Sequence, residues 1–218
     1  MKQYQAAVFD LDGTLLDTLD DLHAAVNHTM RYFGYPERTR EEVRSFVGNG
    51  VDRLIELSVP GGAQDENFRA AITEYRNYYN AHSEVLTKPY DGIPALIERL
   101  QADKIPIAVA SNKPHKATTD LCAKMFPTVS AVCGEQEKEG IRRKPHPDMV
   151  LHMTELLGYK PEECVYIGDS EVDLLTAKNA GMDCISVLWG FRDRQCLEEA
   201  GGTVFAETPE ELYRMIRG

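Results

Sequence analysis

The segment Phe9-Asp10-Leu11-Asp12-Gly13-Thr14 sets two carboxylates two residues apart, directly after the apolar run Ala6-Ala7-Val8-Phe9. That run is short and β-prone and reads as a buried strand. Both acids therefore fall on the turn at its end, where Gly13 permits a sharp bend and Thr14 adds a hydroxyl. Asp-Gly alone is an ordinary turn signature. Here the pattern recurs: Ser111-Asn112-Lys113 follows the apolar run 105–110, and Gly168-Asp169, with Asp173 beyond, follows Cys164-Val165-Tyr166-Ile167. Sites in open parallel sheets form at the carboxyl ends of strands, so three strands delivering polar residues to one edge predict a site. Asp10, Asp12, Asp169 and Asp173 would repel one another there, and a bound cation is expected. Oxygen ligands without histidine or cysteine in these segments suit Mg2+ better than zinc. Such a metal fits a phosphate substrate, bridging carboxylate and phosphoryl oxygens. Asp10 is then a candidate nucleophile, and Asp12 a candidate for protonating the leaving oxygen and later deprotonating water. Lys144, in Lys144-Pro145-His146-Pro147-Asp148, lies on a stretch stiffened by two prolines; it reads either as a clamp on phosphoryl charge or as a solvated basic turn.

These residues need a framework. From Leu19 to Phe33 the apolar positions Leu22, Ala25, Val26, Met30 and Phe33 follow a helical stripe, ended by Gly34 and Pro36. Thr39-Arg40-Glu41-Glu42 is a capping box that opens the next helix, which stops at Gly48-Asn49-Gly50. Further helices are expected over 51–59 and 66–81, so residues from about 17 to 85 read as a helical insert. From Pro89 onward helix and strand alternate: helix 94–103, strand 105–110, helix near 115–125, strand 129–133, helix 147–157, strand 164–167, a helix ending at Gly181, strand 184–188, and a last helix capped by Thr208 with Pro209 at its first position. Short buried strands alternating with helices predict an α/β fold with a doubly wound parallel sheet. No repeat or low-complexity segment interrupts it.

Composition narrows the function classes. With 35 acidic against 24 basic residues the net charge is −11, which disfavours nucleic acid or an anionic membrane as partner, since both want a basic face. The short run Arg142-Arg143-Lys144 does not offset this. No stretch approaches the ~20 apolar residues of a membrane span, and the first residues lack a signal-peptide apolar core. The five cysteines, at 122, 133, 164, 184 and 196, form no C-x-x-C pair and read as idle thiols of a reducing compartment. A cytoplasmic location is expected, as a monomer or weak homodimer.

Taken together, Asp10-Leu11-Asp12-Gly13-Thr14-Leu15-Leu16-Asp17-Thr18, Ser111-Asn112-Lys113, Lys144-Pro145-His146-Pro147-Asp148 and Gly168-Asp169-Ser170-Glu171-Val172-Asp173 resemble the haloacid dehalogenase superfamily, in its phosphatase branch with a helical cap inserted after the first strand. The four motifs stand in the family's order and the likeness spans essentially the whole chain. The resemblance implies a Rossmann-like core over 1–16 and 86–218 and an α-helical cap over 17–85, with hinges near 14–18 and 84–90. It makes Asp10 the nucleophile and Asp12 the acid/base, with Ser111 and Lys144 holding the phosphoryl group. Mg2+ would be bound by the Asp10 carboxylate, the Asp12 carbonyl and Asp169, with Asp173 in support. Gly13, Thr14 and Asn112 are expected to meet the substrate.

Dehalogenases of this fold lack the second aspartate, so Asp12 favours phosphoryl transfer. Phosphonate-cleaving relatives use a cap lysine, yet none occurs between Lys2 and Lys88. Mutases of the β-phosphoglucomutase type carry a hinge histidine where this chain has Leu22. Phe46-Val47-Gly48-Asn49-Gly50 resembles the phosphoglycolate phosphatases, with Gly48, Asn49 and Arg53 as candidate contacts to a small carboxylate or phosphate; read from the residues alone, the same stretch is a plain helix-to-helix turn. The implied substrate is a small phosphorylated metabolite such as 2-phosphoglycolate. The alternatives are an inorganic pyrophosphatase, a sugar-phosphate phosphatase or mutase, and, from another class, an inactive phosphate-binding interaction module. For Trp189-Gly190-Phe191-Arg192, a loop at the edge of the core is expected ahead of a binding element.

Overall fold

A computed structural model describes residues 2–218. The chain divides into two compact units, one built from the residues up to Leu16 together with Pro89–Gly218, the other from Asp17–Lys88. It leaves the first unit at Leu16–Asp17 (β2) and returns at Lys88–Pro89 (β3).

The larger unit is a six-stranded, all-parallel sheet. Across it lie Ala131–Glu135 (β5), Ile107–Pro114 (β4), Ala6–Phe9 (β1), Cys164–Gly168 (β6), Asp183–Val187 (β7) and Phe205–Ala206 (β8). The chain builds outward from β1 in both directions, so the crevice beside its carboxyl end is the topological switch point where such sheets bind ligands. All four residues of β1 are buried, as the apolar run required. The period-2 alternation of a strand sorts them onto two faces. Ala7 and Phe9 pack with Ile93, Leu96, Ile97 and Leu100 of Ile93–Ala102 (α5), Leu121 of His115–Met125 (α6), and Leu212 and Ile216 of Pro209–Arg217 (α10). Ala6 and Val8 face Met149, Val150 and Met153 of Asp148–Leu157 (α7) and Ala177 and Ala180 of Glu171–Ala180 (α8).

The main departures from the sequence reading lie at strand ends. Strand β4 runs from Ile107 through Pro114, past the expected end at Ala110, because pairing to β5 resumes at Pro114–Glu135 after a register shift. Strand β5 starts two residues later than expected, at Ala131. Helix Arg194–Glu199 (α9), with Asp193 accepting from the Cys196 N–H at 2.9 Å, and the two-residue β8 had no clear signal in sequence. The cysteines are free thiols; burial pushes Cys122 up to about 12 and Cys164 up to about 11, so both are poor nucleophiles.

The smaller unit holds Leu19–Tyr32 (α1), Arg40–Phe46 (α2), Val51–Ser58 (α3) and Phe68–His82 (α4). Helix α1 packs along α4, burying Leu22, Ala25, Val26 and Met30, the stripe seen in sequence. Thr39 and Glu42 close the expected capping box, the Glu42 N–H donating to Thr39 Oγ1 at 3.2 Å and the Thr39 N–H to Glu42 Oε2 at 2.7 Å. The two ends of this unit meet at Asp21, a buried carboxylate that accepts the N–H groups of Leu86 at 3.0 Å and Thr87 at 2.8 Å. Asp21→Asn would turn an amide N–H toward those donors. A loss of about 2 kcal/mol is expected, the scale of hydrogen bonds to a buried charge, and urea denaturation of the variant measures it. No helix among the described residues is long and apolar enough to cross a membrane.

Candidate active site

Asp10 extends β1 by one residue, its N–H donating to the Ile167 carbonyl at 2.8 Å. The loop that follows is wound tightly: the Leu11 carbonyl receives the N–H groups of Leu15 and Leu16, both at 3.0 Å, and the Gly13 N–H returns to the Leu16 carbonyl at 2.9 Å. Gly13 holds φ at 81°, a left-handed conformation open to glycine. It also lies hard against the β6 edge, where a Cβ would sit 2.7 Å from Asp169 Cγ.

Lys144 is the hub of the site. It is 3% exposed, and its Nζ lies 2.9 Å from Asp10 Oδ1, 2.7 Å from Asp173 Oδ1 and 3.0 Å from the Tyr166 hydroxyl. Asn112 fixes the lysine's backbone with both ends of its amide, Oδ1 accepting the Lys144 N–H at 2.8 Å and Nδ2 donating to its carbonyl at 3.0 Å. Asn112 was expected at the substrate; here its amide orients the lysine loop. Thr14, also expected at the substrate, donates through Oγ1 to Asp169 Oδ1 at 3.1 Å. Ser111 is buried on the irregular stretch of β4 just after Ala110, and its Oγ accepts the Lys113 N–H at 3.3 Å.

Asp173 is held on both oxygens. Oδ1 faces Lys144 and accepts the Tyr166 hydroxyl at 2.9 Å; Oδ2 accepts the Ser170 hydroxyl at 2.6 Å and the N–H groups of Ser170 and Asp169 at 3.1 and 3.3 Å. It thereby caps α8 while facing the acidic cluster, a capping-box geometry with an aspartate in the third position. The Asp12 side chain stands apart from this network, its two oxygens 2.8 and 3.0 Å from Lys113 Nζ.

Two contributors had no role assigned from sequence. Tyr166 is one: within β6 it looked like core, but its hydroxyl joins Lys144 to Asp173. The other is the loop after β7, where the Phe191 N–H donates to Asp169 Oδ2 at 2.7 Å and the Trp189 indole N–H to the Thr14 carbonyl at 3.0 Å. Gly190 between them is side-chain-free of necessity, since a Cβ there would meet Asp169 Oδ2 at 2.6 Å and the Gly13 carbonyl at 2.5 Å. The loop thus touches the site through Phe191 and Trp189, where a core-edge loop was expected ahead of a binding element. Tyr166→Phe keeps the ring and deletes the hydroxyl, leaving a buried ammonium and a buried carboxylate each short of one partner. Unfolding stability should drop by about 1–3 kcal/mol, to be read from the denaturation midpoint.

The charges do not balance. Asp10, Asp169 and Asp173 each bring an oxygen to within 4.8 Å of the others, and Asp12 adds a fourth carboxylate against two ammonium groups, Lys113 and Lys144. Four negative less two positive leaves a formal deficit of two. Burial pushes Asp10 well above the usual carboxylate range; Lys144 pulls it down, while Asp173 and Asp169 push it further up. Burial and then Asp173 raise Asp169 to about 7, against the Phe191 N–H and the Thr14 hydroxyl. Burial alone would lower Lys144, but Asp10 and Asp173 outweigh it and hold the ammonium above its ordinary value. A buried, oxygen-only donor set short of two positive charges fits a small hard dication.

The residues expected in the smaller unit lie on the turn from α2 to α3. Gly48 and Gly50 hold φ at 123° and 82° around Asn49, Gly50 is the residue before α3, and Arg53 pairs with Glu56 at 2.9 Å on the half-exposed face.

The chain is similar to known proteins in sequence and in fold. The family model for haloacid dehalogenase-like hydrolases matches residues 7–187. The phosphoglycolate phosphatase 1 of Pseudomonas aeruginosa is 30% identical over 215 residues, covering 94% of this chain and 77% of the relative. The phosphoglycolate phosphatase of Aquifex aeolicus is 32% identical over 192 residues, 84% of each chain. A crystal structure from Lactobacillus delbrueckii subsp. bulgaricus, whose description proposes a phosphoglycolate phosphatase, superposes with a TM-score of 0.94 at 35% identity over 100% of both chains. With its strand-end acids, its buried lysine and a family match over most of its length, the chain belongs to the haloacid dehalogenase-like hydrolases.

Proposed function

We propose that this hydrolase is a Mg2+-dependent phosphomonoester phosphatase that works through an aspartyl-phosphate on Asp10, with 2-phosphoglycolate as its substrate. The observation that carries the reading is the division of roles between the two motif aspartates. Asp10 is buried and anchored through one oxygen, Oδ1, by the Leu11 N–H at 2.7 Å and by Lys144. Its Oδ2 is assigned the attack. Asp12 keeps to a separate lysine, Lys113, apart from the Asp10 cluster, and is assigned the proton exchange with leaving group and water.

In the first step Asp10 Oδ2 forms a bond to phosphorus as the ester P–O bond breaks, and Asp12 gives its proton to the departing alkoxide. In the second, Asp12 takes a proton from water, whose oxygen attacks phosphorus while the P–O bond to Asp10 breaks; phosphate leaves and Asp10 is restored. Lys144 and the Ser111 hydroxyl hold the phosphoryl oxygens throughout. The Asp10 and Asp169 carboxylates and the Asp12 carbonyl would hold Mg2+, with Asp173 orienting Lys144 and the Asp169 loop; when bound, the ion neutralises phosphoryl charge. Gly48, Asn49 and Arg53 are assigned to substrate choice. The substrate rests on the relatives named phosphoglycolate phosphatase, since fold alone does not select one.

The test is phosphate release, with and without Mg2+, across 2-phosphoglycolate, pyrophosphate, sugar phosphates and nucleotides. A preference for 2-phosphoglycolate supports the reading. Broad, weak turnover removes the substrate, and no turnover with Mg2+ bound moves the chain to a phosphate-binding module.

A further inference from the structure

Lys113 stands outside the chemistry assigned so far. Its side chain is 2% exposed, and its Nζ faces both oxygens of Asp12, at 2.8 and 3.0 Å. Its backbone is pinned as well: the N–H donates to Ser111 Oγ, and the carbonyl accepts the Thr118 hydroxyl at 3.2 Å from α6. Gly134 of β5 presses on the same carbonyl, where a Cβ would come within 2.7 Å. This is a rigid mount on the irregular stretch of β4 between Ala110 and Pro114. The site thus uses two buried ammonium groups for two different carboxylates. Lys144 serves the Asp10, Asp169 and Asp173 cluster, and Lys113 serves Asp12.

An aspartate on a loop has two side-chain torsions to fix before its oxygen lies where a proton must travel. A misplacement of about 1 Å at a reacting group costs on the order of 10²-fold in rate. We infer that Lys113 is a positioning residue that holds the Asp12 carboxylate in the orientation from which it exchanges protons with the leaving group. The inference rests on the phosphatase reading above and deepens it, since it names what makes Asp12 competent.

The test compares two leaving groups in single-turnover experiments on the full chain with Mg2+. An alkoxide leaving from 2-phosphoglycolate needs a proton, whereas 4-nitrophenolate leaves without one. Lys113→Met keeps the length and removes the charge. Alkoxide release is expected to slow about 30–100-fold with KM within about threefold, while 4-nitrophenolate release slows less than about threefold. Lys113→Arg should recover part of the loss. In an Asp12→Asn background, Lys113→Met should add nothing, because both act through one group. Should Lys113→Met not fold, Lys113→Gln is read by the same comparison. Equal losses on both substrates, a raised KM with kcat unchanged, or additive losses with Asp12→Asn would overturn the inference. Wild-type protein that releases neither leaving group would instead defeat the phosphatase reading.

Discussion

Asp10→Asn is expected to abolish phosphomonoester turnover, by about 10⁴-fold or more, the scale seen when a nucleophile is removed, while the protein stays folded. The asparagine oxygen can still accept from the Leu11 N–H and from Lys144, as Asp10 Oδ1 does now. The other position becomes an amide nitrogen, which has no free lone pair to offer phosphorus. The substitution also removes one of three crowded, buried charges, so stability should hold or rise. Phosphate release and thermal unfolding, measured on the same preparation, separate the two effects. Rapid quenching followed by mass spectrometry should find a phosphorylated peptide containing Asp10 in the wild type and none in the variant. Activity within tenfold of wild type would remove Asp10 from the chemistry.

Lys144→Met should do the opposite to stability. The ammonium is the cation that both Asp10 and Asp173 face, and at 3% exposure water does not replace it. Removing one partner of a buried ion pair costs about 3–5 kcal/mol, because the remaining charges stay desolvated. For a chain of this size that is a fall of roughly 10 °C in Tm. Turnover should fall about 10²–10³-fold with the loss of a charge aimed at the phosphoryl group. Added Mg2+ should restore part of the stability, since a ligand of the folded state stabilises by mass action. Unfolding in EDTA and in MgCl2 measures both effects. An unchanged Tm in EDTA would show that the cluster tolerates its charge without the lysine.

Much of this site could be read from residue types because strand ends are readable. Three apolar runs, each followed by polar residues, point to one sheet edge, and the structure gathers Asp10, Asp169 and Asp173 around Lys144 there. Features that went unread depend on partners that residue type does not reveal. Asn112 meets the backbone of a residue 32 positions away, a pairing no local pattern encodes. Phe191 contributes a backbone N–H, which every residue but proline possesses. Tyr166 was hidden by its own hydrophobicity: in a buried strand its ring accounts for its presence, and the hydroxyl goes unnoticed. The extension of β4 and the two-residue β8 escaped because pairing, rather than propensity, creates such short strands.

Gly13 and Gly190 press on Asp169 from two sides, and neither contributes a functional group. Adding even a methyl at either place would displace the carboxylate, so a saturation scan of the chain should find them nearly as intolerant as the aspartates they flank. Variant libraries aimed at new substrates would do better to leave both untouched and to spend their diversity on the turn around Asn49 and Arg53. In this protein part of the active-site pattern is written in atoms that are missing.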